Sequence, residues 1–375
     1  FGQSTYTFLA DGRLVATWRH PDGLSHIGLV GDAGVEPWDL PFSQYDSLAG
    51  ADGAVTAVVG SSTHPPAVVR ISGDDGRAIV LRASRQVRFD TALISKPRLV
   101  TYPSGGETSR AWYYPPTNPA FAAPAGQRPP LVVMSHGGPT SSTLTVLNLA
   151  VQYWTSRGFA VADVDYRGSA GYGRDYRDRL RGEWGVLDVE DCAAVVAHLA
   201  GEGLADGARA VIRGGSAGGF TTLAALCFTD VFAAGASLYG VADLELLARD
   251  THKFEARYLD GLVGPWPEAE ERYRERSPLY HLDGLRCPVI LFQGEEDAVV
   301  PRSQADAIYA ALKDRGVPVA YLLFAGEQHG FRQAATIEAV AEAELAFYGR
   351  VLGFSPAGDP RVPPIENEKA LNPRS

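Results

Sequence analysis

A serine within a glycine-rich segment has the surroundings that most clearly predict chemistry. Residues 214–219, Gly-Gly-Ser-Ala-Gly-Gly, contain the pattern G-x-S-x-G between an apolar run, 210–213, and a helix-compatible run, 220–227. A strand, a sharp turn and a helix in this order lift a serine hydroxyl clear of a sheet and place it near a helix N-terminus. The pattern therefore predicts that Ser216 is a nucleophile. A phosphate-binding loop is disfavoured, because no Lys-Ser or Lys-Thr pair follows the glycines.

Two later polar loops offer the base that a serine hydroxyl needs. Asp297 and His329 each follow an apolar run that reads as a buried strand. Enzymes built on an α/β sheet can present serine, acid and histidine in this chain order, each at the carboxyl end of a strand. We therefore expect His329 to exchange a proton with Ser216, and Asp297 to orient His329. Two neighbouring residues are alternative acids, Glu295 and Glu296.

The segment His136-Gly137-Gly138-Pro139 directly follows the apolar run 131–134. In a hydrolase of this kind, this loop supplies a backbone N–H to the oxyanion hole, and the residue after the nucleophile supplies another. Gly138 is the predicted first donor, because Pro139 has no N–H and glycine permits close approach. Ala217 is the predicted second donor. His136 is expected to be structural, and the glycine-rich run 165–173 is expected to be a packed loop beside the site.

From residue 131 onward, apolar strands alternate with helical stretches. Near-continuous apolar strands joined by helices indicate a parallel sheet that is covered on both faces. The predicted strands are 131–134, 159–164, 210–213, 234–238, 289–292 and 319–324, and the clearest predicted helices are 189–200, 303–315 and 335–351. Ahead of them, residues 95–102 and 111–114 read as an antiparallel pair.

Residues 1–90 read as short strands separated by turns. The tripeptide Ala-Asp-Gly occurs at 10–12 and again at 51–53, each time beside strand-like runs. A repeat of roughly 40 residues with several strands is typical of the blades of a β-propeller. Two blades cannot close a ring, so we expect an N-terminal propeller portion outside this chain. Because Met134 is the only methionine and the chain begins with Phe1, we expect a longer parent protein.

The amino-acid composition further narrows the classes of protein to which this chain can belong. The chain has 375 residues, of which 45% are hydrophobic and 21% are charged, which is typical of folded domains. A net charge of −10 disfavours a nucleic-acid partner. No apolar run approaches the roughly 20 residues of a membrane helix, and no signal pattern opens the sequence. Three widely spaced cysteines have no metal-ligand spacing and predict reduced thiols in a cytoplasmic protein.

Together these segments resemble the prolyl oligopeptidase family of serine peptidases, in which a β-propeller is joined to an α/β-hydrolase domain. The matching segments are 136–139, 166–169, 171–173, 214–219, 294–297, 300–301 and 326–331. The resemblance is close over residues 91–355. Over residues 1–90 it extends only to the pattern of short strands and turns. It implies an α/β fold with the last blades of a propeller at 1–90, an α/β-hydrolase domain at 91–360, and a tail at 361–375. The tail is expected to be a surface strap or a frayed end.

Within the family, the His-Gly-Gly-Pro segment is similar to the acylaminoacyl-peptidase branch and to bacterial aminopeptidase or dipeptidyl-peptidase branches. The resemblance implies hydrolysis of short peptides or aminoacyl amides near the N-terminus, through an acyl-enzyme and without a metal or organic cofactor. It also makes assembly into a homo-oligomer an expectation. The alternatives are a carboxylesterase with the same three residues and a non-catalytic binding protein.

The residue after the nucleophile is where this sequence departs from the commoner family pattern. Ala217 stands where many relatives carry tyrosine, which removes an aromatic wall from the pocket for the P1 side chain. By family position, four aliphatic residues are expected to line that pocket, Val241, Leu244, Leu247 and Val300. The resemblance thus implies a roomy, aliphatic pocket without strict selectivity for proline.

Overall fold

Two small antiparallel sheets occupy the N-terminal part of the chain. The computed structural model describes residues 4–250, 253 and 255–371. The first sheet contains β1 (Tyr6–Phe8), β2 (Leu14–Arg19), β3 (Ser25–Gly31) and β4 (Gly34–Pro37), and the second contains β5 (Gln44–Ala51), β6 (Ala54–Ser61), β7 (His64–Ser72) and β8 (Ala78–Ala83). In both sheets, neighbours along the chain are neighbours in the sheet. This is the pattern of short strands that the turns predict.

The two N-terminal sheets share one hydrophobic core. Val15 and Ile27 from the first sheet are fully buried, as are Val55, Val69 and Ile71 from the second, and all belong to the same cluster. These positions alternate with more exposed residues, because successive side chains of a strand point to opposite faces. The sheets therefore stabilise each other through their inner faces.

The rest of the chain surrounds an eight-stranded sheet. Its strands are β9 (Arg98–Ser104), β10 (Glu107–Tyr114), β11 (Pro130–Ser135), β12 (Ala160–Asp165), β13 (Asp206–Gly215), β14 (Ala234–Leu238), β15 (Val289–Gly294) and β16 (Val319–Phe324). Their order across the sheet is β16-β15-β14-β13-β11-β12-β10-β9. Strands β11–β16 pair in parallel, whereas β9 and β10 form an antiparallel hairpin that joins the sheet at β12. The parallel sheet and the antiparallel pair are both confirmed.

Helices cover both faces of this sheet, as predicted. They are α1 (Leu149–Thr155), α2 (Arg174–Asp178), α3 (Leu187–Gly201), α4 (Ala217–Phe228), α5 (Leu244–Asp250), α6 (Tyr258–Leu262), α7 (Glu270–Arg276), α8 (Ser303–Asp314) and α9 (Ala334–Leu352). Helices α3, α4 and α8 contribute to one buried cluster, and α1 and α9 contribute to another on the opposite face. No helix in the described part of the chain is long and apolar enough to cross a membrane.

The described part of the tail lies against the end of the sheet. The backbone of Glu366 pairs with that of Val319, the first residue of β16. The Lys313 ammonium lies 2.9 Å from a carboxylate oxygen of Glu366, and the side chain of Asn367 donates to the carbonyl of Lys313 at 2.9 Å. These contacts fasten the tail to the end of α8, so a strap describes this segment better than a frayed end.

Candidate active site

Ser216 occupies the turn between β13 and α4. Its φ of 56° lies in the left-handed region, which a non-glycine residue rarely adopts. The turn brings backbone segments so close that a Cβ on Gly218 would lie 2.2 Å from the carbonyl oxygen of Ser135. A Cβ on Gly214 would lie 2.3 Å from the carbonyl oxygen of Gly218. Glycines at these positions therefore permit the strained turn that exposes the Ser216 hydroxyl.

The loops after β13, β15 and β16 bring the three predicted residues together. His329 Nε2 lies 2.8 Å from Ser216 Oγ, and His329 Nδ1 lies 2.8 Å from Asp297 Oδ2. The three side chains form a continuous line of hydrogen bonds from a carboxylate through an imidazole to a hydroxyl. Such a line can carry the Ser216 proton to the ring when the oxygen attacks a carbonyl carbon.

The Asp297 carboxylate is buried and held on both of its oxygens. The backbone N–H groups of Val299 and Val300 each donate to Oδ1 at 2.9 Å. Gln293 Nε2 donates to Oδ2 at 3.3 Å, beside the contact with His329. The orientation of the carboxylate is therefore fixed by neutral donors, and Oδ2 is the oxygen that faces the imidazole.

The two alternative acids are both exposed. Glu295 is exposed, and its carboxylate lies 3.7 Å from the guanidinium of Arg302. Glu296 is also exposed, whereas Asp297 is buried. Of the three acids in this loop, only Asp297 has a hydrogen bond to His329 in the described structure.

The two predicted oxyanion donors flank the nucleophile. Gly138 and Ala217 line one pocket together with Ser216 and His329. Within the described residues, the backbone N–H groups of Gly138 and Ala217 have no hydrogen-bond acceptor. Two unpaired N–H groups beside a serine hydroxyl are suited to a developing oxyanion.

His136 has no hydrogen bond to Ser216 in the part of the chain that the structure describes. Its Nε2 lies 2.7 Å from Ser169 Oγ, and its ring stacks on Tyr166 with 4.3 Å between centroids. Burial lowers the pKa of His136, which favours a neutral ring. The backbone N–H and the guanidinium of Arg167 hydrogen-bond to the buried Asp191. The structure therefore places His136 and the loop 165–173 in supporting positions.

A pocket of about 340 Å³ opens beside Ser216. Three of the four predicted pocket residues line it, Val241, Leu247 and Val300. The expectation for Leu244 is wrong: this side chain is fully buried in the core, and its backbone N–H donates to Ser277 Oγ at 2.9 Å. Position 244 begins α5, and the turn of that helix directs Leu247 toward the pocket instead.

The predicted aliphatic character of the pocket also needs correction. Trp184 and Tyr258 contribute aromatic surface, and the exposed Glu255 contributes a carboxylate. The Tyr258 hydroxyl lies 2.6 Å from Thr140 Oγ1, which ties α6 to the loop after β11. Trp184 precedes α3 and Tyr258 begins α6, so neither follows a strand of the sheet. The sequence did not indicate Trp184 and Tyr258, because site residues were expected only at the carboxyl ends of the predicted strands.

Tyr239 is a second residue that sequence reasoning missed. It follows β14, has a φ of 40°, and donates its backbone N–H to the carbonyl of Phe292 at 2.7 Å. Its ring meets the His329 ring edge to face, with 5.0 Å between centroids, and also contacts Phe331. The aromatic contact packs directly against the imidazole ring. Its position after a strand is the only signal in the sequence.

The sheet order and the turn at Ser216 define an α/β-hydrolase fold, and a comparison with known families gives the narrower class. A model described as the prolyl oligopeptidase family matches residues 145–355. The chain belongs to the prolyl oligopeptidase family, as the sequence motifs predict.

Similar proteins include solved and curated members. A solved Mycobacterium tuberculosis puromycin-hydrolyzing peptidase is 46% identical, with a TM-score of 0.93, over 98% of this chain and 56% of that chain. Dipeptidyl aminopeptidase BIII of Pseudoxanthomonas mexicana is 32% identical over 60% of this chain and 33% of its own length. The acylamino-acid-releasing enzyme of Arabidopsis thaliana is 33% identical over 54% of this chain and 28% of its own length. The matched region thus spans about a third of these curated relatives.

Proposed function

We propose that this chain carries the active site of a serine peptidase that hydrolyses short peptides or aminoacyl amides near a free N-terminus. The hydrogen-bonded line of Ser216, His329 and Asp297 beside a pocket is the observation that carries the proposal. Membership of the prolyl oligopeptidase family supports it.

In the first half of the reaction, Ser216 Oγ attacks the substrate carbonyl carbon while His329 Nε2 accepts the hydroxyl proton. Asp297 holds the Nδ1–H tautomer and stabilises the imidazolium. The backbone N–H groups of Gly138 and Ala217 donate to the oxyanion of the tetrahedral intermediate. His329 then gives its proton to the leaving amine nitrogen, the C–N bond breaks, and an ester to Ser216 remains.

In the second half, water replaces the amine. His329 accepts a proton from water as the water oxygen attacks the ester carbonyl. The second tetrahedral intermediate uses the same two N–H donors. Its collapse breaks the bond to Ser216 Oγ, which recovers its proton from His329, and the product leaves as a carboxylic acid that ionises in water. Every proton transfer in the cycle is therefore accounted for by Ser216, His329, water and the leaving amine.

The character of the pocket supports a substrate with a free amino group. Glu255 is the one acidic residue among those that line this pocket in the described part of the chain. A carboxylate attracts an ammonium group, which an N-acylated residue lacks. The similarity to a solved puromycin-hydrolyzing peptidase supports aminoacyl amides as one substrate class. Ala217 leaves room for a large apolar P1 side chain, so strict selectivity for proline is not expected.

We also propose that the two N-terminal sheets are blades of a β-propeller. Two consecutive four-stranded sheets with the same chain-order arrangement support this interpretation. Residues 1–90 would then be the propeller part, 91–360 the hydrolase domain, and 361–375 the tail. Cysteines in the described part of the chain form no disulfide, in keeping with the proposed cytoplasmic location. Assembly into a homo-oligomer stays a prediction.

A panel of p-nitroanilides tests the proposed activity. The full chain is offered free aminoacyl, free dipeptidyl and N-acetylaminoacyl anilides, with matched p-nitrophenyl esters. We expect turnover of free aminoacyl anilides, and a faster rate for Leu or Phe than for Pro at P1. Ser216→Ala should lose turnover by several orders of magnitude, whereas Ser303→Ala, at an exposed serine, should keep it.

Thermal unfolding of each variant shows whether the fold is intact. Ester turnover with every anilide inert would replace the peptidase proposal by a carboxylesterase. Anilide turnover that survives in a folded Ser216→Ala variant would refute Ser216 as the nucleophile. A preference for N-acetylated substrates would refute the role of the free amino group and leave the catalytic residues unaffected.

A further inference from the structure

A cluster of two histidines and one aspartate lies at the turn between β2 and β3, away from the site described above. His20 and Asp22 lie on the turn, and His26 lies on β3. One potential ligand atom from each of the three side chains lies within 4.8 Å of the others. Two imidazoles and a carboxylate are a ligand set that suits zinc and neighbouring transition metals better than calcium or magnesium.

We propose that His20, Asp22 and His26 bind one divalent transition-metal ion of the zinc class. Asp22 Oδ2 lies 3.3 Å from His20 Nδ1 and 3.7 Å from His26 Nε2. Ligand atoms about 2.0–2.1 Å from a tetrahedral ion lie about 3.4 Å apart. Both separations from Asp22 Oδ2 are close to this value, and all three ligand atoms lie within 4.8 Å of one another. One ion can therefore contact all three side chains after small side-chain movements, with a fourth position open to water.

His26 supplies a second, independent observation. Its Nε2 is shielded from solvent and has no hydrogen-bond partner among the described residues. The separation of 3.7 Å from Asp22 Oδ2 is too long for a hydrogen bond. A buried polar atom without a partner is unfavourable in water-poor surroundings, and an ion between Nε2 and Oδ2 would satisfy it.

The ligands are already oriented by the surrounding structure. The backbone N–H of Leu24 donates to Asp22 Oδ1 at 2.8 Å, which leaves Oδ2 to face the histidines. The ring of His26 lies nearly parallel to that of Trp18, with 6.1 Å between centroids. Backbone hydrogen bonds between His20 and Leu24 and from Gly23 to His20 close the turn. Such secondary contacts raise metal affinity by fixing ligand geometry.

The position of the cluster indicates what the ion would do. The turn packs on the eight-stranded sheet: a Cβ on Gly23 would lie 2.6 Å from the indole ring of Trp112 on β10. Leu24 packs against the same buried cluster as Trp112. An ion that fixes the β2–β3 turn would therefore strengthen the contact between the N-terminal sheets and the catalytic sheet. The proposed role is structural, and Ser216 chemistry does not require it.

Calorimetric titration of the chelator-treated full chain with Zn²⁺ tests the site. We compare it with His20→Ala/His26→Ala, with Asp22→Asn, and with His64→Ala, a control at an exposed histidine of β7. Removal of ligands should weaken binding at this site more than about tenfold, because even outer contacts of ligands contribute 10–100-fold. The control should match the unsubstituted chain. Co²⁺ provides a second readout, because its visible absorption reports bound ion. The double variant should bind one equivalent less of Co²⁺ than the unsubstituted chain.

Thermal unfolding in chelator first shows that the variants keep their fold. Zn²⁺ should then raise the unfolding midpoint of the unsubstituted chain and the control, and should raise it less in the two ligand variants. Equal zinc stoichiometry and affinity in all four proteins would overturn the proposal, as would the absence of zinc binding to the unsubstituted chain. A loss seen with His64→Ala as well would also overturn it, since that residue lies outside the cluster.

Discussion

The substitution Asp297→Asn tests the proposed roles of Asp297, His329 and Ser216. It does so by changing which ring nitrogen of His329 carries the proton. In the native site, Asp297 Oδ1 accepts from the backbone N–H groups of Val299 and Val300, both at 2.9 Å. In the variant, the asparagine side-chain oxygen should take the place of Asp297 Oδ1. If the amide flipped, its NH2 group would instead face the N–H groups of Val299 and Val300, and neither would have an acceptor. Each buried donor left unpaired costs about 1–3 kcal/mol, so the flip is disfavoured by about 2–6 kcal/mol.

The amide nitrogen of the substituted side chain would consequently face His329 Nδ1 at the position that Asp297 Oδ2 occupies. That nitrogen is a donor, so Nδ1 must accept and the ring proton must move to Nε2. A protonated Nε2 cannot accept the proton of Ser216, whose Oγ lies 2.8 Å away. The expected loss in kcat is about 10⁴-fold, which corresponds to about 5.4 kcal/mol of transition-state stabilisation.

The assay is anilide hydrolysis under saturating substrate, with thermal unfolding as the check on the fold. Glu296→Gln is the matched control, because it removes an exposed carboxylate from the same loop, and it should change kcat by less than about twofold. A folded Asp297→Asn protein with kcat within about tenfold of the unsubstituted chain would refute the tautomer argument. A large loss in Glu296→Gln would show that Asp297 had been wrongly assigned as the orienting acid.

Three further comparisons extend the tests. Leu244→Ala should lower the free energy of unfolding by about 2–5 kcal/mol with little change in KM. Leu247→Ala should raise KM for Leu and Phe anilides with a smaller loss of stability. Equal effects of the two substitutions on stability and on KM would contradict the assignment of Leu244 to the core and Leu247 to the pocket. Burial raises the pKa of Asp188 to about 6. Asp188 therefore binds more protons in the folded protein than in the unfolded chain between about pH 4 and 6, and its contribution to stability should fall as pH rises through this window. In Asp188→Asn, the free energy of unfolding from urea denaturation should fall by about 3 kcal/mol less across this pH range. An unchanged pH profile would exclude the buried Asp188 carboxyl as the source of the pH dependence. Glu255→Gln should raise KM for free aminoacyl anilides but not for matched esters of N-acetylated residues, and an equal change for both would contradict recognition of the amino group.

The central part of the site could be predicted because the chain's local patterns and the sheet's topology agree. Parallel strands place their carboxyl ends at one edge, so Asp297 and His329 had to approach Ser216 once the strands were recognised. The oxyanion loop follows from the same rule. The convergence of these residues depends only on the order of the strands.

The parts that sequence reasoning missed depend on packing between distant segments. Trp184 reaches the pocket from the loop before α3, and Tyr258 reaches it from α6, a helix of one turn with no apolar repeat. Leu244 and Leu247 are both aliphatic residues of one short helix, and only its orientation separates core from pocket. The cluster at His20 and His26 likewise becomes visible only when the β2–β3 turn brings the two rings together.

The strap formed by the tail has a consequence for the protein in solution. β16 forms one edge of the eight-stranded sheet, and the unpaired main-chain groups of an edge strand can recruit a strand from another molecule. Glu366 exchanges two backbone hydrogen bonds with Val319, at 2.8 and 3.2 Å, and so occupies the start of this edge. The described part of this Pro-rich, charged segment thus occupies the start of the edge, where a strand from another molecule could otherwise pair.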